Sequence, residues 1–334
     1  MGGDRGVHAA CLPAAIALEV ALALTLPAGA AARIVVHPHA GGDRPGLGAA
    51  AIERAEPRSI PLVRGAGKAG RHPNDDSGDS SSGSIPGRPP TVRATRAGGG
   101  TKKAARQVFA SRAVIGPTTY PNSANGKLFG RIRKVGTYSC SASVVRTRNR
   151  SVIFTAGHCV KKPGRGHWAR QLTFIPAYAD GAGPFGHWDW KAVYAPKQWA
   201  RRGNSNFDYA AIVLRRNHGR LIADTTGALG FAFGVRRNRT YRAVGYPVNK
   251  GAGEQMWECV SSYEGPDPFP FGPGPTPIGI GCDMLNGSSG GGWTITRNRV
   301  ASVSSFYVIG HWDELYGPRF TKRAERIRRR AGHR

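Results

Sequence analysis

Acidic residues are scarce in this 334-residue chain. Only 20 Asp and Glu stand against 48 Lys and Arg, and the net charge at pH 7 is +28. No cluster of carboxylates exists to build a calcium cage. Cysteine is nearly as sparse, with five in all and no close Cys-x-x-Cys pair, so a zinc site built from His158, Cys159 and a second cysteine lacks the usual ligand spacing. No apolar run is long enough for a membrane span; the best, residues 12–26, is too short. No internal repeat is apparent, and long helical patterns are missing until the C-terminus.

The basic excess could indicate a polyanionic partner. Its arginines, however, are scattered in pairs within a chain also rich in Ala, Gly and Pro, the mark of a general compositional bias. The polyanion reading is therefore secondary, and it is strongest for the tail, residues 322–330. From Ala113 onward 33 Lys and Arg face 12 Asp and Glu.

The chain opens with features of a secretory signal over residues 1–32. The apolar stretch is followed by Pro27 and the small-residue sites Ala28-Gly29-Ala30 and Ala30-Ala31-Ala32. Glu19 and Asp4 depart from that pattern, yet export agrees with the cysteine usage. Cys11 would be removed, leaving Cys140, Cys159, Cys259 and Cys282, an even set compatible with two disulfides in any of three connectivities. Residues 33–112 show no period and include a Ser/Asp/Gly run at 74–83. Such a stretch buries too little apolar area to offset chain entropy, and it is expected to be a disordered pro-segment or linker. Regular structure is expected from residue 113, as short β-branched and aromatic runs at 141–145, 151–155, 209–214, 240–244 and 300–306. The Pro/Gly-dense stretch 265–275 excludes regular structure and is expected as a surface insertion, with an overhang of the cleft as the alternative.

Three runs carry chemistry: Thr155-Ala156-Gly157-His158-Cys159, Phe207-Asp208-Tyr209-Ala210-Ala211 and Gly287-Ser288-Ser289-Gly290-Gly291. An imidazole, a carboxylate leading into an apolar strand and a serine among glycines are the parts of a nucleophilic hydrolase. The glycines let the backbone turn sharply, so the amides of Gly287 and Ser289 could face a developing oxyanion. An α/β-hydrolase elbow would need an acid and then a histidine after the serine; here His311 precedes Asp313. Asp189 and Asp224 are the alternatives to Asp208. Ser288 is a poorer nucleophile than Ser289, since Asn286 rather than glycine stands two residues before it.

In order and local sequence these runs resemble the trypsin-like serine endopeptidases, within them the secreted bacterial branch that includes the V8-type glutamyl endopeptidases. The resemblance covers roughly residues 113–320. It implies an all-β fold of two antiparallel six-stranded β-barrels of chymotrypsin type, at about 113–220 and 221–315, with a short basic helix at about 318–330 completing a peptidase domain of 113–334. It further implies Cys140–Cys159 and, with it, Cys259–Cys282. His158 would be the general base, Asp208 its orienting group and Ser289 the nucleophile, with no metal or organic cofactor. Asp283 lies where trypsins place the acidic base of their specificity pocket, and Ser304 and Ser305 fall on the strand that lines it. That strand holds no histidine, so glutamyl specificity is not expected. Ser288 replaces the aspartate that animal relatives use to pair with a new N-terminus, so activation would run another way, with pro-segment removal near Arg112. The expectation is a monomeric, secreted endopeptidase acting on protein or peptide. The competing reading is a secreted polyanion- or cell-wall-binding protein on the same fold.

Overall fold

The computed structural model describes residues 2, 34–39, 46–59, 62–63, 82–88, 110–296, 298–308 and 311–333. The signal expected at 1–32 lies, residue 2 apart, outside the described residues. The described chain is mostly β, and no helix among the described residues is long and apolar enough to cross a membrane.

Six strands form the first unit: β1 (Asn125–Ile132), β2 (Gly136–Val145), β3 (Val152–Thr155), β4 (Ala169–Pro176), β5 (Trp188–Pro196) and β6 (Ala210–Leu214). Antiparallel pairing runs β1–β2–β3–β6–β5–β4 and returns from β4 to β1, closing the barrel. Closure removes the open edges that an isolated sheet would expose. The interior is filled by side chains such as Leu128, Val144, Phe154, Phe174 and Ile212, each with essentially no exposed area.

The second unit comprises β7 (Gly230–Phe233), β8 (Thr240–Gly245), β9 (Trp257–Pro266), β10 (Ile278–Gly281), β11 (Gly292–Ile295), β12 (Arg299–Val303), β13 (Phe306–Val308) and β14 (His311–Gly317). Their hydrogen-bonded order is β7–β12–β11–β8–β9–β10–β14–β13, eight strands rather than six. β7 joins through a two-residue parallel ladder to β12. The apolar run expected over 300–306 is split in two at Ser304-Ser305, where the chain leaves the ladder.

Both disulfides form as the resemblance implied, Cys140–Cys159 and Cys259–Cys282. The first ties β2 to the turn carrying His158, and the second joins β9 to the residue just after β10. The terminal helix starts later than expected, at Lys322–Gly332, after Pro318 and with Thr321 as its N-cap, whose side chain accepts from the Arg323 N–H. Ala324, Ile327 and Ala331, at helical spacing, bury against the first barrel. Arg328 is buried too. It pairs with Glu325 at 2.6 and 2.7 Å and donates to the Arg146 carbonyl, while Arg323 lies 4.8 Å from the Phe207 ring centroid. Two of the tail's cations thus serve the fold.

The expectation that residues 33–112 lack regular structure is corrected where this stretch is described. Ile34–Pro38 pairs antiparallel with β5, Glu56–Pro57 parallel with β2, Leu62–Val63 parallel with β13, and Gly83–Ile85 antiparallel with β7. The short helix Ala49–Glu53 brings Leu47 and Ile52 into a third apolar cluster with Phe129, Ile175, Val244, Tyr246 and Met256, drawn from both units. The composition argument holds for a segment that must build its own core. This one borrows the core and strand edges of its neighbour.

Candidate functional site

The three motifs converge at the junction of the two units. β3 ends at Thr155, and the next residues turn into a single 3-10 turn, Gly157–Cys159, which carries His158. Gly157 is required because a Cβ there would come within 2.5 Å of the Trp199 ring. Asp208 caps another 3-10 turn, Ser205–Phe207, just before β6, and is itself buried. β3 and β6 are neighbours in the barrel, so the strand pairing itself brings His158 and Asp208 together.

The Asp208 carboxylate accepts three hydrogen bonds. One comes from the His158 main-chain N–H at 2.7 Å to Oδ1; His158 Nδ1 lies 2.7 Å from Oδ2, and the Ser305 hydroxyl donates to Oδ2 at 2.6 Å. A carboxylate acceptor fixes the hydrogen on Nδ1, which leaves Nε2 as the ring's lone-pair nitrogen. His158 Nε2 is buried and makes no hydrogen bond, and the same holds for the Ser289 hydroxyl.

Ser289 sits in a turn after β10, held against the first barrel by a series of backbone contacts. Its carbonyl accepts from the Ser141 N–H at 2.7 Å, and the Ser141 hydroxyl donates to the Gly287 carbonyl at 2.9 Å. At Gly290, with φ +81°, a Cβ would fall 2.0 Å from Thr155 Oγ1 and 2.7 Å from the Ala156 nitrogen, atoms of the strand leading to His158. The serine turn therefore abuts the histidine turn, and only glycine permits that approach. Gly287 has φ +88°, and a Cβ there would clash with the Tyr246 carbonyl at 2.4 Å. Its N–H donates to the Arg58 carbonyl at 3.2 Å.

The alternatives drawn from the sequence are engaged elsewhere. Ser288 is fully buried and its hydroxyl donates to the Met284 carbonyl at 3.2 Å. Asp189 accepts from the Gly46 N–H, and Asp224 pairs with Arg150 at 2.8 Å. Asp283 is salt-bridged to Lys250 at 2.8 Å and accepts from the Ser111 N–H at 2.9 Å. These partners outweigh its partial burial and hold its pKa below the usual carboxylate value. The charge expected to meet a substrate cation is thus already paired. Ser304, expected at the substrate, turns inward: its hydroxyl accepts from Trp293 Nε1 at 3.0 Å. Ser305 serves Asp208. The break in the apolar run at Ser304-Ser305 was the sequence signal for that contact.

Cys140, His158 and Cys159 cluster with their ligand-type atoms within 4.8 Å. Both sulfurs are consumed in a disulfide, which removes the thiolates that zinc would need. The loop after β9 reaches the first unit, where Asn204 and Asn206 side chains donate to the Pro273 and Gly272 carbonyls at 3.0 and 2.9 Å. This makes it a bridge between the units rather than a passive insertion. With Gln198, Arg202, Phe207 and Arg323 it lines a cavity of 520 Å³.

Comparison with known proteins gives a consistent picture. No protein-family profile matches the chain. The crystal structure of the protease Anisep from Arthrobacter nicotinovorans is similar at 32% identity and a TM-score of 0.61, covering 67% of this chain and all of Anisep. The thermostable serine protease AL20 from an extremophilic microorganism is 31% identical with a TM-score of 0.59, covering 63% of this chain and 97% of AL20. Among curated relatives, a glutamyl endopeptidase of Bacillus licheniformis is 32% identical over 108 residues, and an extracellular metalloprotease of Bacillus subtilis is 28% identical over 128 residues. These two matches cover 32% and 36% of this chain, and they span only 32% and 37% of the curated relatives' own lengths.

Proposed function

This chain belongs to the bacterial trypsin-like serine proteases, and on that premise we propose that it is a secreted endopeptidase whose Ser289, His158 and Asp208 cleave peptide bonds through an acyl-enzyme. The observation that carries this reading is the buried His158–Asp208 pair at 2.7 Å, with the unpartnered His158 Nε2 and Ser289 hydroxyl in adjoining turns. His158 Nε2 takes the Ser289 proton as the oxygen adds to the scissile carbonyl. Asp208 holds the ring in the required tautomer and stabilises the imidazolium that forms. The Gly287 and Ser289 amides bind the oxyanion, and loss of one such donor typically costs about 10²–10³ in turnover. The proton then passes from His158 to the leaving amine. Water, deprotonated by the same imidazole, finally releases the acyl group. Lys250 neutralises Asp283, so charge at that position selects no cationic side chain. Export is supported by the two disulfides and by the signal-like residues 1–32.

Inhibitor sensitivity tests the reading, because one curated relative carries the name metalloprotease. Cleavage of chromogenic peptides is expected to be abolished by a fluorophosphonate and unchanged by EDTA. Loss to EDTA with resistance to the fluorophosphonate would overturn it.

A further inference from the structure

The strands that carry His158 and Asp208 lead, at their other ends, to a concentration of positive charge. β3 and β6 pair antiparallel, with Thr155 opposite Ala210 at the catalytic end and Val152 opposite Val213 at the far end. Beyond that far end the turn 148–151, Lys191 of β5, residues 213–216 and Leu221 enclose a cavity of about 740 Å³. The four residues of β3 lie between it and the histidine turn, a span of roughly 13 Å at about 3.3 Å per residue. Five cations line the cavity, Arg148, Arg150, Lys191, Arg215 and Arg216, and no Asp or Glu does. Arg148, Lys191 and Arg216 are exposed. Asp224, paired with Arg150 at 2.8 Å, offsets one of these charges.

The fold places its other cations differently. Lys127 meets Glu254, Lys250 meets Asp283, Arg112 and Arg242 share Glu258, and Arg328 meets Glu325. At the cavity, cations from three separate stretches of chain are gathered instead, and their mutual repulsion is relieved by an anion bound among them. The frame that gathers them is fixed. The Asn149 N–H and side chain donate to the Gly332 and Ala331 carbonyls at 3.0 and 2.9 Å, in the last turn of the terminal helix. The Ala223 N–H donates to the Arg150 carbonyl at 3.1 Å, and Arg216 Nη1 donates to the Gly219 carbonyl at 2.7 Å. Arg150 is held at φ +55°, a left-handed backbone that an arginine rarely adopts. Ser151 lines the same cavity, is itself buried, and has a hydroxyl that makes no hydrogen bond.

We propose that this cavity is a binding site, separate from the catalytic groups, for a linear chain of phosphate groups. Four of its five cations are arginines, whose guanidinium forks present paired N–H donors to tetrahedral oxyanions. No aromatic ring lines it, so it offers no platform for stacked bases, which sets single-stranded nucleic acid aside. The basic excess of the sequence thereby gains a place. It is not the tail, where Arg323 and Arg328 serve the fold, but the far end of the first barrel. A site there tethers the protein to a phosphate polymer and leaves the catalytic turns clear of it. The inference does not rest on the hydrolase reading.

The test measures binding of the full chain to two probes, inorganic polyphosphate and poly(glycerol phosphate), over a range of salt concentrations. Binding that weakens steeply with salt is expected, and the tighter probe identifies whether the phosphates come from an anhydride chain or a polyol diester. R148A/K191A/R216A is expected to bind about tenfold more weakly or worse. Its slope of log affinity against log salt is expected to fall by about three, roughly one for each cation removed. R131A/R133A/K134A removes the same charge from exposed side chains of the β1–β2 hairpin, at the opposite end of β2, and is expected to bind as the parent protein does. R148E, a single change at an exposed side chain, is expected to weaken binding likewise and stands in should the first variant lose its melting transition. Equal losses in the two triple variants, or no binding of either probe by the parent protein, overturn the proposal. Tighter binding of single-stranded DNA of matched charge than of both probes overturns it too.

Discussion

Replacing Ser289 by alanine is expected to lower kcat for peptide hydrolysis by about 10⁶, leaving residual catalysis of about 10³–10⁴ over water from the oxyanion donors and substrate binding. The loss is large because no other hydroxyl can stand in. Ser288 points to the Met284 carbonyl, Ser304 to the Trp293 indole and Ser305 to Asp208. The substitution also costs the fold little. The Ser289 hydroxyl makes no hydrogen bond, and the backbone contacts that hold the turn, from Ser141 N–H to the Ser289 carbonyl and from Gly290 N–H to the Ser304 carbonyl, involve no side-chain atom of residue 289. Activity and thermal stability measured on the same preparation check both halves: turnover collapses while the melting temperature stays within a few degrees.

The second large effect belongs to Asp208→Asn, for which kcat at neutral pH is expected to fall about 10⁴-fold. The carboxylate accepts from three donors, the His158 main-chain N–H, His158 Nδ1 and the Ser305 hydroxyl. An amide presents one oxygen and one NH₂ in place of two acceptor oxygens. Whichever way it turns, one of these contacts becomes donor against donor. If the NH₂ faces Nδ1, the ring keeps its hydrogen on Nε2 and can no longer accept the serine proton. If the oxygen faces Nδ1, the His158 main-chain N–H that sets the turn loses its acceptor. Either outcome removes the charge that would stabilise an imidazolium. A kcat within tenfold of the parent protein would show that Asp208 does not orient the base.

The juxtaposition of His158 and Asp208 was legible in the sequence because each motif is short and its position is set by local backbone. The turn Gly157–Cys159 follows β3 directly, and Asp208 immediately precedes β6. Once those strands pair, the histidine and the aspartate meet without help from distant segments. Strand cores at residues 141–145 and 240–244 were likewise evident from β-branched runs. What escaped reading depends on contacts across long separations. Asp283 looks like a free carboxylate until Lys250, 33 residues away in sequence, folds against it. Ser305 looks like a substrate contact until Asp208 is seen 97 residues upstream. Least legible was the segment before residue 113. Its low apolar content says nothing of a seam on the folded domain that accepts Leu47 and Ile52. The same limit applies to its strands at Glu56–Pro57, Leu62–Val63 and Gly83–Ile85, whose two- and three-residue ladders are too short to leave a period.

The most direct measurement is to identify which residue of the protein carries the phosphonyl group after treatment with a fluorophosphonate, by mass spectrometry of its peptides. Expected is a single adduct on Ser289, lost in the same protein carrying Ser289→Ala. An adduct on Ser288 or any other residue, or a folded protein that takes no label, would contradict the assignment of Ser289, His158 and Asp208 as one reacting unit.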